Sequence, residues 1–128
     1  MLNKLFLLFT SITYIYLGGW AMLYPLSYVE LIGITISSDV GSSEIRSAVG
    51  GINLLVGLFS FYAIFKKKYE DLFFKILLFI ISGILIGRIV TLIYGEFTSA
   101  FLIYFTVFEL IYFTFLIIAI RKKKRKLF

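Results

Sequence analysis

Two ionisable residues of this sequence stand inside long apolar runs: Arg88 in SGILIGRIVTL (82–92) and Glu109 in FTVFELIYF (105–113). The chain has no Cys and no His, which excludes thiol chemistry, disulfides and nearly all zinc or copper sites. What remains is the chemistry of carboxylates, guanidinium, ammonium, hydroxyl and amide groups. Glu44, Arg46, Asn53, Arg88, Glu109 and Tyr112 are the candidates for a ligand-binding site. Arginines beside a lone carboxylate lack the paired acid and base, or the activated nucleophile, that most hydrolytic chemistry requires. Binding is therefore better supported than catalysis, and nothing in the sequence calls for a cofactor.

The elements that hold these residues follow from composition. Of 128 residues 61% are hydrophobic and 16% charged, and the mean hydropathy is +1.02, which is outside the range of soluble domains. The apolar residues form four blocks of about 20 or more, near 4–24, 43–65, 70–94 and 98–120, each long enough to span a bilayer. Pro25 closes the first block, SSDVGSSE (37–44) is a polar turn rich in helix N-cap residues, and YGEFTS (94–99) is a tight connection. PLSYVELIG (25–33), with Pro first and Gly last, reads as a short helix at the membrane interface. The first block also starts as a secretory signal does, but GGWAMLYP offers no small-x-small cleavage site, so it reads as a retained span. The expected fold is a single all-α domain, an integral membrane four-helix bundle running up-down-up-down.

Charge sets the orientation. Lys4, Lys66, Lys67, Lys68, Lys75 and the six cations Arg121 to Lys126 make up eleven of the thirteen Lys and Arg residues, and all fall on one side of that topology. Positive residues mark the cytoplasmic face, so both termini are expected inside. The tail RKKKRK serves either as an orientation anchor or as a site for anionic lipid headgroups. The net charge of +6 comes mainly from this tail and from KKK (66–68), with no soluble basic domain to bind nucleic acid.

At 1.5 Å per residue from the outer ends of their spans, Arg46 lies about 5 Å deep, Arg88 about 10 Å, and Asn53 and Glu109 about 15 Å. An ionised side chain near mid-membrane costs at least about 2.5 kcal/mol, so it faces the protein interior and pairs. Spans three and four are joined by a short connection, which makes Arg88 and Glu109 the expected pair. Thr91 shares the Arg88 face; Thr106 and Tyr112 share that of Glu109. On span two, Arg46, Gly50, Asn53, Gly57 and Ser60 fall within an arc of about 80°, a small and polar face suited either to close helix packing or to lining a cavity. Ser11, Tyr14, Gly18 and Ala21 on span one, and GILIG (83–87) on span three, read as packing stripes.

EIRSAVGGINLLVGLF (44–59), GRIVTLIYGEFTSA (87–100) and FEL (108–110) together resemble a family of small bacterial four-span membrane proteins of unknown function. Its pattern is E-x-R-A-x-x-G-G opening span two, G-R in span three and Glu in span four. The resemblance covers nearly the whole chain and falls on Glu44, Arg46, Gly50, Gly51, Gly87, Arg88 and Glu109. Asn53 stands where such proteins often carry Glu or Gln, which argues against proton carriage there. The resemblance implies a multi-pass protein of the bacterial cytoplasmic membrane and supplies no activity.

Two functional readings remain open. In one, Arg46, Asn53, Arg88 and Glu109, with Glu44 and Tyr112, line a pocket in the outer half of the bundle. That pocket binds or transports a small anionic or amphipathic ligand, such as a lipid or a quinone. In the other, the protein is a structural or accessory membrane subunit whose buried charges only fix helix packing. The orientation is tested by cysteine labelling against the cysteine-free background: a Ser38→Cys variant should react from outside the cell and a Lys123→Cys variant should not. The opposite pattern overturns the topology.

Overall fold

In a bilayer there is no water to satisfy backbone amides, so a spanning segment closes its hydrogen bonds within itself. The computed structural model meets this with helices throughout; it describes residues 1–95 and 98–125, with side chains as far as Lys123. Four helical stretches, Leu2–Leu23, Asp39–Phe65, Lys67–Ile93 and Ala100–Lys123, are long and apolar enough to cross a membrane. The protein is an all-α, multi-pass membrane protein. Its helices pack as two units, Met1–Lys68 and the chain from Tyr69 onward.

The first unit begins with α1, Leu2–Leu23. Pro25 has no N–H to return to the Ala21 carbonyl, so α1 stops and Pro25 becomes the first residue of a short helix, α2, Pro25–Glu30. Gly33, at φ +76°, ends α2: the Gly33 N–H donates to the Glu30 carbonyl and the Ile34 N–H to the Val29 carbonyl, both at 3.0 Å, the Schellman pattern. The Trp20 indole donates to Ser27 Oγ at 3.3 Å and stands against the rings of Tyr16 and Tyr28. These are amphipathic aromatics of the kind that gather at membrane–water interfaces. Burial raises the pKa of the Tyr28 phenol, which keeps it neutral.

The second span starts earlier than the Ser43 boundary expected from the apolar run. Ser38, in extended backbone, accepts the Gly41 N–H on its Oγ at 3.2 Å and caps α3, Asp39–Glu44. The capping that made this stretch look like a turn begins the helix instead. A π-helical turn, Ile45–Gly51, joins α3 to α4, Ile52–Phe65. Gly50, Gly57 and Ser60 are buried on the face turned to α1, and Arg46, exposed, stands one turn before Gly50 and reaches the same helix at Met22.

Helix α1 packs antiparallel on the π turn and α4. Gly50 lies against Met22, Gly18 against Asn53 and Leu54, and Gly57 against Ile15. A Cβ placed on Gly18 would stand 2.4 Å from the Leu54 backbone nitrogen, and one on Gly57 2.6 Å from the Ile15 nitrogen. Only glycine permits this approach. The Ser60 hydroxyl then donates to the Leu7 carbonyl at 2.8 Å across the buried contact.

The second unit is a hairpin of α5, Glu70–Ile93, and α6, Ala100–Arg125. On α5 the buried face carries Glu70, Phe73, Phe74, Leu77 and Ile81. At about 100° per residue Gly83 and Gly87 lie roughly 140° and 100° away from it. Within this unit the GILIG stripe therefore faces away from α6, and nothing stands within 4 Å of a Cβ at either position.

Gly18→Ala and Gly57→Ala should each lower stability by about 1–3 kcal/mol, the usual cost of overpacking. Gly83→Ala and Gly87→Ala should be neutral or stabilise by up to about 1 kcal/mol through helix propensity. Thermal unfolding in detergent separates the two sets.

Candidate functional site

Glu70 and Arg88 are 18 residues apart, about five helical turns, and so share one face of α5. Glu70 and Asp71 occupy the first turn of α5, where the helix dipole favours negative charge, and Lys75 Nζ reaches Asp71 Oδ2 at 2.8 Å one turn on. The antiparallel partner α6 brings Lys123 to Glu70 at 3.8 Å and Glu109 to Arg88.

The expected pair between Arg88 and Glu109 forms, and it is bidentate. Arg88 Nε donates to Glu109 Oε2 at 2.9 Å and Nη2 donates to Oε1 at 2.8 Å. Fork-to-fork pairing of this kind is shorter and stronger than neutral hydrogen bonding. The partners are unequally covered: the arginine side chain is 29% exposed and the glutamate 10%. Tyr112, one turn beyond Glu109, is buried with its ring 6.2 Å from that of Phe108.

Beside the pair runs a groove of about 430 Å³ whose walls belong to α5 and α6 alone, among them Ser82, Leu85, Arg88, Thr106, Leu110 and Phe113. Its two hydroxyls are already spent. Ser82 Oγ donates to the Leu78 carbonyl at 2.6 Å and Thr106 Oγ1 to the Leu102 carbonyl at 2.9 Å, each bonding back to its own helix. Arg88 differs. Only two of its five N–H donors are used by Glu109, and among the described residues the other three find no acceptor.

A family model described as Domain of unknown function (DUF4345) matches residues 2–120. The chain belongs to this family. No curated protein and no solved structure matches it.

The remaining candidates of this family member lie in the first unit. Arg46 Nε donates to the Met22 carbonyl at 3.2 Å, one of the carbonyls left open at the end of α1, and so caps that helix. Glu44 is exposed, and Asn53 is half-buried with its backbone against Gly18. Thr91 shares the Arg88 face but donates to the Gly87 carbonyl at 2.9 Å. In the basic tail Arg121 and Lys122 are exposed and Lys123 turns to Glu70, while the side chains of Lys124 and Arg125 and all of Lys126 lie outside the described residues. So do Glu96 and Phe97 of the connection between α5 and α6.

Sequence reasoning missed the Glu70–Lys123 contact and the groove. The five-turn spacing of Glu70 and Arg88, set against carboxylate and cation on an antiparallel neighbour, was the available signal for the first. The groove had none, since its walls are ordinary span residues.

Removing one partner of a buried ion pair leaves a bare charge, so Arg88→Met or Glu109→Leu alone should destabilise by about 3–5 kcal/mol. The double variant should recover most of that loss. Thermal melts of the three proteins and wild type in detergent check it, and a double variant no more stable than the singles contradicts a simple pair.

Proposed function

We propose that this protein binds an amphipathic, membrane-dissolved molecule in the α5–α6 groove, its apolar body against Leu85, Leu110 and Phe113 and its polar end at Arg88. The observation that supports this is an apolar groove with a single group holding unspent donors. Unsatisfied polar groups are costly in hydrocarbon, and a ligand acceptor satisfies Arg88 where lipid tails do not. Glu109 holds the guanidinium in place. The setting we propose is the bacterial cytoplasmic membrane with both termini inside, where the basic tail gains about 1 kcal/mol per cation from anionic headgroups.

The structural reading also has an observation behind it. Two ion pairs, Arg88–Glu109 and Glu70–Lys123, fix the register of one hairpin. The two readings diverge on what happens when the groove is filled. Leu85→Trp places bulk in the groove and leaves both pairs intact. Native mass spectrometry of protein extracted from membranes should show a lipophilic adduct on the wild type and lose it in Leu85→Trp, with both proteins melting at similar temperature. An adduct retained equally by the filled variant means that the groove is not the binding site.

A further inference from the structure

We infer that the groove selects a neutral head bearing a carbonyl acceptor, the quinone class, and discriminates against carboxylate or phosphate amphiphiles. This rests on the groove being the binding site, as proposed above.

The first ground is charge. Glu109 holds Arg88 through two hydrogen bonds at 2.8 and 2.9 Å, so guanidinium and carboxylate together carry no net charge. An anion arriving at the free edge meets an arginine already neutralised by Glu109. It must leave water and gains little Coulomb attraction in return. A carbonyl oxygen has a small desolvation cost and needs only donors, which the three unused N–H groups supply.

Exposure gives the second ground. The part of the pair open to a ligand is the arginine, at 29%, while the carboxylate is 10% exposed. The groove hydroxyls of Ser82 and Thr106 donate to their own helices, so guanidinium is the donor a ligand meets. Apart from that one guanidinium edge, already paired with Glu109, nothing described in the wall offers a donor to a phosphate.

The test is thermal shift of the full-length protein in dodecyl maltoside with four probes: decyl-benzoquinone, decylbenzene, decanoate and dioleoyl phosphatidylglycerol. The expected result is stabilisation by the quinone, well above that by decylbenzene, and none by decanoate. Glu109→Gln keeps the side-chain size and restores the full positive charge of Arg88. In that variant the apparent affinity for decanoate should rise by about tenfold or more, because the site gains one net positive charge. Stabilisation of wild type by decanoate or phosphatidylglycerol above the quinone overturns the head-group assignment and leaves the groove as the site. Equal stabilisation by decylbenzene and the quinone also overturns it, since the head would then go unread. No stabilisation by any probe overturns both the assignment and the groove reading. The wild-type panel decides the class by itself, so the outcome stands even if Glu109→Gln does not fold.

Discussion

A guanidinium inside a membrane span has to be neutralised by a carboxylate on a neighbouring helix, and that requirement organises the α5–α6 hairpin. Two hydrogen bonds of 2.8 and 2.9 Å do this for Arg88, and they admit only one register between the helices. Once Arg88 faces Glu109, the five-turn repeat of α5 carries Glu70 to the same face, where Lys123 meets it. Hydrophobic association cannot hold helices together in lipid, since tails are as apolar as leucine; packing and polar contacts must do so. The hairpin uses polar contacts near both ends.

The first unit solves the same problem by a different route. There the helices approach until backbone meets backbone, with Gly18, Gly50 and Gly57 at the crossing. A single buried hydrogen bond, from Ser60 to the Leu7 carbonyl, adds direction to a contact that is otherwise van der Waals. Arg46 belongs to this economy: it closes a carbonyl that the proline break leaves open at the end of α1. A residue that looks like half of an anion site from its sequence position is thus a helix cap.

The hairpin's polar arrangement also leaves something over. Ion pairing uses one edge of a planar, five-donor group, and helix back-bonding uses both neighbouring hydroxyls. On the proposed reading, the residual donors beside an apolar groove are what a ligand meets in the second unit. On that reading, structure and recognition are not competing uses of Arg88. The same guanidinium can lock the register with one edge and meet a ligand with the other.

By itself the sequence determined the membrane class, the four helical spans and the pairing of Arg88 with Glu109. These follow from run length, breakers and the cost of charge in hydrocarbon, all of which are local or nearly so. Pro25, Gly33 and Ser38 punctuate the chain for reasons legible in their own chemistry. Only tertiary structure decided which small residues touch. Gly18 and Gly57 are pressed against a neighbour while Gly83 and Gly87 meet nothing, although all four read alike, because contact depends on which face the partner helix covers. Tertiary structure likewise brought Arg46 to the end of α1, where it donates to the Met22 carbonyl. It also built the groove from residues on two helices and left three donors of Arg88 without an acceptor among the described residues. Which edge of an arginine is spent is a matter of angstroms between side chains, and residue spacing along the chain does not carry that information.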